Sequence, residues 1–221
     1  MALSFEALKK EIMKRARNKE ICADFQNILL AKSYLEILEA GKKFPTWVWA
    51  SNIMDVNLLK EFPEQDLLDA NIYVTSSRVD LLNVSEVIYI LPGADVNLQC
   101  DNENKCEVIC IGGNLEVHLI DKSFAKIKGF FDSKINLVAS NESIISVALT
   151  NQSEIKFKSE DSTNSNIIIN QNAKCEVESY GFSFVNLKAT EDSEISYQIF
   201  EDSEIQIKAT PSVIVNDNNP K

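Results

Sequence analysis

The sequence predicts a mainly β chain with an α-helical N-terminal cap, its body a right-handed parallel β-solenoid of about 20 residues per coil. Three observations predict it. The first is a short pattern that returns every ten residues between Gly113 and Thr210. One slot is small throughout: Gly113, Ser123, Ser133, Ser143, Ser153, Thr163, Ala173, Ser183, Ser193 and Ser203. Four residues later the slot is apolar without exception: Val117, Ile127, Leu137, Val147, Phe157, Ile167, Val177, Leu187, Tyr197 and Ile207. The slot between them, from Leu115 to Ile205, is mostly aliphatic. Spacing by two puts all three on one face of a strand, so each decad is a short half-buried strand followed by a polar turn.

The outward slots supply the second observation. Taken at steps of twenty, one column reads Asn114, Lys134, Glu154, Lys174 and Glu194, with the charge alternating in sign from Lys134 onward. The intervening column reads Phe124, Ile144, Asn164, Phe184 and Glu204, and is largely apolar. Alternation at that spacing makes sense if residues twenty apart lie directly above one another, each carboxylate between ammonium groups. An up-and-down meander would instead make neighbours of residues ten apart. Two decads per coil give five coils here, a rod section about 24 Å long.

Corner chemistry is the third. Asn141, Asn151, Asp161, Asn172, Asp192 and Asp202 tolerate turn geometry, while Ser or Thr at each strand start bonds neighbouring backbone. Glycine is scarce, with Gly113, Gly129 and Gly181 in the repeat. The right hand rests on the general preference of parallel crossovers.

From the N-terminus, residues 1–70 read as the helical cap. Ser4 caps a helix to about Arg17 with Phe5, Leu8, Ile12 and Met13 on one face. Its bases Lys9, Lys10, Lys14, Arg15 and Arg17, interspersed with Glu6 and Glu11, read as a solvated face. Further helices are expected near Glu20–Ala31 and Ser33–Ala40, with Gly41 as a C-terminal cap. Pro45 opens a short segment holding Trp47 and Trp49, Asp55 caps another helix ending before Pro63, and Leu67 and Leu68 close the region. Such a cluster would cover the open first coil, with the tryptophans packing towards it. Residues 71–112 read as irregular first coils, with strands at Ile72–Val74, Val79–Leu82 and Val87–Leu91. Val96, Leu98, Cys106, Val108 and Cys110 continue the alternation one place out of phase. The regular decads occupy 113–210, and 211–221 form a last strand and tail.

The 221 residues carry a net charge of -11. Before Asn71, ten Lys and Arg meet eleven Asp and Glu; from there on, twelve meet twenty-two, so the solenoid is the acidic part. An acidic surface excludes wrapping of phosphate backbones and first of all serves solubility, although mimicry of nucleic acid would use the same charge. No apolar leader or membrane-length run is present, and five cysteines without framework spacing suit a reducing compartment. A cytoplasmic protein is expected.

Catalytic residues are not marked. His118, the single histidine, falls in an outward slot between Val117 and Leu119. Cys100, Cys106 and Cys110 lack zinc spacing, share inward slots with Val108, and with Cys175 read as small buried groups. Carboxylates such as Asp192, Glu194, Asp202 and Glu204 recur in step with the corners. No enzyme activity, metal or cofactor is therefore expected. The aromatic residues Phe124, Phe130, Phe131, Tyr180, Phe182, Phe184 and Phe200 do not all fit inward slots. They form either an exposed binding stripe, with Phe124, Tyr180, Phe182 and Phe184 as its candidate residues, or packing under the cap or tail.

The helical segment with Ile21, Cys22 and Ala23, then Leu35 to Gly41, the tryptophan turn and Leu67 to Val74 leading into β repeats, resembles small bacterial proteins of prophage and mobile-element regions. The resemblance implies a bacterial source and no particular activity. Bactofilins, which are polymerising β-solenoids, are similar in architecture. The sequence thus favours a non-catalytic structural or protein-interaction module, binding a protein partner or itself. Neither nucleic acid nor membrane is expected, and no small-molecule substrate is identified. A carbohydrate-binding or carbohydrate-active solenoid is the alternative.

Overall fold

The computed structural model describes residues 3–17, 26–44, 48–49, 53–74 and 78–219. The chain divides into two compact units, Met1–Val74 and Thr75–Lys221. In the first, α1 (Phe5–Arg17) buries Leu8, Ile12 and Ala16, a stripe at four-residue spacing. Ser4 opens it by accepting a hydrogen bond from Ala7 N at 3.4 Å, and Arg15 bridges Glu11 and Asp55, each at 3.0 Å. After α2 (Gln26–Leu30), Ser33 caps α3 (Tyr34–Lys42) by accepting from Glu36 N at 3.2 Å. Asp55 caps α4 (Val56–Leu59), accepting from Leu58 N at 2.8 Å, and α5 (Glu64–Asp69) follows Pro63. The unit ends in the short strand β1 (Ile72–Tyr73). The Tyr34 ring stands edge-on to Phe5 at 5.2 Å and to Phe62 at 5.8 Å, tying three segments together.

Gly41 departs from the sequence reading: it lies inside α3 and does not end it. A Cβ there would meet Met54 Cε at 3.4 Å and Val48 Cγ1 at 3.7 Å, so the buried glycine is a point of close packing. The expectations placed on residues 20–25, Pro45 and Trp47 lie outside the described residues. Trp49 is buried.

The second unit is a parallel β-solenoid. Its strands are β2 (Arg78–Leu82), β3 (Val87–Ile90), β4 (Asp95–Cys100), β5 (Lys105–Ile111), β6 (Asn114–Leu119), β7 (Phe124–Phe130), β8 (Lys134–Ala139) and β9 (Ile144–Leu149). They continue as β10 (Glu154–Ser159), β11 (Asn164–Ile169), β12 (Lys174–Ser179), β13 (Phe184–Ala189), β14 (Glu194–Ile199), β15 (Glu204–Ala209) and β16 (Ile214–Asp217). Odd strands from β3 to β15 follow one another in one sheet, and even strands from β2 to β16 in the other. The fold has about seven turns of about 20 residues each. Register confirms the twenty-residue columns: Glu154 lies between Lys134 and Lys174, and Asn164 between Ile144 and Phe184.

Inward slots are filled as the period of two requires. Leu115, Val117, Ile135, Leu137, Ile155, Phe157, Ile167, Val185 and Leu187 are all buried. Among the described residues Phe157 is the largest fully buried side chain. Small residues accommodate close approaches: a Cβ on Gly129 would stand 2.7 Å from Leu149 Cδ2. In the core Ser159 Oγ donates to Ser179 Oγ at 3.0 Å, whereas the buried Ser165 hydroxyl has no partner.

Corners hold the strands in step. At several of them two successive residues have positive φ, as in Asn141 and Glu142, Asn151 and Gln152, and Gln171 and Asn172. Glutamate, glutamine and even Phe131 take this left-handed conformation, at a cost of roughly 1 kcal/mol per residue. Hydrogen bonds from coil to coil offset that cost. Gln152 N donates to Gln171 O at 3.2 Å and Asn172 N to Glu191 O at 3.1 Å. At its last rung, β16 puts Asp217 in the column of Val177 and Tyr197, which is inward and apolar elsewhere. Among the described residues, no helix is long and apolar enough to cross a membrane.

Two substitutions measure the core. Ser165→Val removes an orphaned buried hydroxyl at a position whose register neighbours are Ile145 and Val185. It is expected to stabilise the solenoid by about 1–2 kcal/mol, seen as a higher midpoint in thermal and urea unfolding. Phe157→Ala is expected to cost about 3–5 kcal/mol in the same assays.

Candidate binding surface

The outer faces of the two sheets differ in kind. On the even sheet, charges meet in ladders. Lys156 reaches Glu176 at 3.4 Å, Lys174 reaches Glu194 at 3.8 Å, and Arg78 reaches Glu116 at 2.7 Å. His118 is partly exposed on this face, its Nε2 lying 3.2 Å from Glu116 Oε1. His118 and Arg78 together hold the Glu116 carboxyl below the usual carboxylate range. A shallow depression of about 300 Å³, lined by Arg78, Glu116, Lys134 and Lys156 among others, lies over this ladder. Its best-placed carboxylate, Glu116, is held ionised between Arg78 and His118, which suits an electrostatic strut and not a proton donor.

The odd sheet has a largely uncharged centre. Ile144, Ser146 and Ala148 of β9 lie in register with Asn164, Asn166 and Ile168 of β11, and these with Phe184, Asn186 and Lys188 of β13. Ile144 is 51% exposed and Ile168 40%. Lys126 and Lys128 on β7 share Glu107, at 3.0 and 3.6 Å.

The aromatic residues do not form a single stripe. Phe124 and Phe184 belong to one outward column of the odd sheet, both half-buried, with Ile144 and Asn164 between them. Phe130 and Phe131 lie at the end of β7 and at the corner after it. Tyr180, Phe182 and Phe200 gather at the corners that lead from even to odd strands. There the Tyr180 and Phe200 rings stack at 4.4 Å with only 3° between their planes. Lys158 Nζ sits 5.1 Å over the Tyr180 ring, and the tyrosine hydroxyl donates to Glu178 at 3.2 Å. Desolvation first, and Glu178 second, push the Tyr180 phenol up.

Phe182 next to them is 73% exposed. Gly181 before it has φ +68°, close to that of Asp161 and Glu201 in the same corner slot, and a Cβ there would stand 2.9 Å from Asp161 O. Phe182 N donates to that same Asp161 O at 2.7 Å, and Gly181 N to Glu201 Oε2 at 2.8 Å. The structure therefore places Tyr180 and Phe182 on the corner between β12 and β13, with Phe184 at the start of β13, and Phe124 three coils away. Which aromatic residues would be covered depends on corner geometry, and the decad pattern does not encode that.

The described cysteines are buried free thiols. Cys100 and Cys106 face each other across a corner; the Cys100 thiol, with burial, pushes the Cys106 thiol up, and Cys106 in turn lowers that of Cys100. Cys110 Sγ donates to Gly113 O at 3.4 Å. Burial pushes the Cys110 and Cys175 thiols up to about 12. Cys22 lies outside the described residues.

No protein-family model matches the chain, and no curated protein and no solved structure matches it either.

The thiols give a prediction. Cys100, Cys106, Cys110 and Cys175 are expected to ignore a thiol reagent such as DTNB at neutral pH and to react only on unfolding; fast labelling of any of the four in the native protein contradicts their burial. For Cys110 and Cys175 the folded pKa lies above the ordinary value of 9.0. Their contribution to stability is whole below about pH 9 and is lost towards about pH 12, so the urea midpoint falls across that window.

Proposed function

We propose that the chain is a non-catalytic structural or protein-interaction module, in which the solenoid acts as a stiff display surface and Phe182 is the anchor. The observation that carries this reading is the presentation of that ring. A phenylalanine 73% exposed projects from a corner hydrogen-bonded to the corners on either side, beside the stacked pair of Tyr180 and Phe200. A single aromatic residue on a rigid support, rimmed by polar groups, has the anatomy of an interface hot spot. Its rim is acidic, with Asp161, Glu201 and Asp202 on the same and neighbouring corners. The complementary surface is an apolar socket edged by lysine or arginine, on a second copy or on another protein.

The test is native mass spectrometry of the full-length chain, alone and with a photoreactive residue at position 182 exposed to cell extract. Phe182→Ser is expected to reduce the associated fraction at least about tenfold while leaving the thermal midpoint unchanged. Association that survives the substitution unaltered, or a photoreactive group that captures nothing, sinks the reading. A large fall in the midpoint shows instead that the ring is structural.

A further inference from the structure

Lys188 lies directly in register with Lys208 on the outer face of the odd sheet. Like charges facing each other on adjacent strands are destabilising, and the even sheet avoids the arrangement by alternation, with Lys156 on Glu176 and Lys174 on Glu194. The other register neighbour of Lys188 is Ile168, which offers no countercharge. Both ammonium groups are exposed, and among the described residues neither meets a carboxylate within 4.0 Å.

The surroundings of this pair are ordered along the strand. Asn186 Nδ2 donates to Asn166 Oδ1 at 3.2 Å, which leaves the Asn186 carbonyl and one of its amide protons, and both amide protons of Asn166, without a side-chain partner among the described residues. Gln206 Nε2 donates to Glu204 Oε1 at 2.8 Å, engaging the one carboxylate on this part of the face. At the other end of β13 stands Phe184, half-buried on the sheet's outer side. Phe184 and Lys188 are four residues apart, about 13 Å along an extended strand, the span of about three linked sugar rings.

We propose that the face of β11, β13 and β15 binds an oligosaccharide carrying a single carboxylate. The apolar face of one pyranose ring rests on Phe184. The amides of Asn166 and Asn186 exchange hydrogen bonds with the hydroxyls of a middle ring, and Lys188 and Lys208 together hold the carboxylate of the third. The geometry favours a sugar over a peptide because β13 is paired on both sides, leaving no backbone edge for strand addition. Glu204 beside Phe184 repels a second acid group, which selects a sparsely charged chain over a uniform polyanion. This site does not involve Phe182, so it stands or falls separately from the protein-binding reading.

Isothermal titration or saturation-transfer NMR of the full-length chain with a xylotriose bearing one glucuronate tests the site, with neutral xylotetraose and a tetraglutamate peptide as controls. The acidic sugar is expected to bind at least about tenfold tighter than either control. Lys188→Gln and Lys208→Gln should each weaken it about ten- to a hundredfold, and Phe184→Ser should do the same. Because the lysine stack is self-repelling, Lys188→Gln is also expected to leave the thermal midpoint equal or higher, a readout independent of binding. Phe182→Ser should leave sugar affinity unaltered. The inference is overturned by no binding of the acidic sugar, by equal binding of the peptide or neutral sugar, or by a fall in midpoint on Lys188→Gln.

Discussion

Everything in the solenoid depends on keeping residues twenty apart in register. A parallel ladder has no hairpin to set its alignment, so a slip by one residue would turn every inward side chain outward. The corners prevent the slip. Residues such as Gln152 and Asn172 accept a left-handed conformation and donate their N–H groups to the corner of the next coil. At some strand starts a serine adds a second clamp, as where Ser153 Oγ donates to Thr150 O at 2.8 Å and closes its own corner. Contrary to the sequence expectation, the buried Ser123, Ser133, Ser143 and Thr163 hydroxyls have no partner among the described residues. Alignment, not hydrophobicity alone, is what makes Val117, Leu137, Phe157 and Val177 a continuous core column.

Register also decides how surface charge is distributed. Where a column alternates in sign, as from Lys134 to Glu194, each rung screens the next and the sheet remains a neutral, self-satisfied wall. Where alternation lapses, on the odd sheet, side chains are left with bonding capacity directed outward. Phe182 projects from a different place, a corner, where an aromatic ring has no partner above or below it in the stack: its column holds Ser162 and Asp202. The two surfaces arise from one repeat because strands and corners obey different local rules.

Much of this architecture was legible in the sequence, since inward slots repeat with period two and outward columns only make sense when stacked. The alternating column ending at Glu194 was enough to separate a solenoid from a meander, and the Asp55 cap could be read from one residue. Other features were hidden for physical reasons. Gly41 looked like a helix end because glycine usually serves there, while its burial against Met54 is a tertiary fact. Corners made by glutamate and glutamine were unforeseen, since their cost is offset only by hydrogen bonds to another coil. The aromatic residues divided among a face and two sets of corners, a separation visible only in three dimensions. The lysine pair could have been found by reading the column Lys128, Ala148, Ile168, Lys188, Lys208 in the way the charged column was read.

The last strand breaks the rule that the column beneath it obeys. Asp217 stands where Tyr197, Val177 and Phe157 stand in earlier rungs, and it pushes the Tyr197 phenol up, second to desolvation. Any strand laid on β16 would have to dehydrate that carboxylate or find it a cation. An edge with a charge aimed at the core position is one of the devices by which sheets resist indefinite growth. The fold therefore carries its own stop signal. It has the cross-strand spacing of a fibril, yet a fibril seeded on that rung would begin with a buried ion.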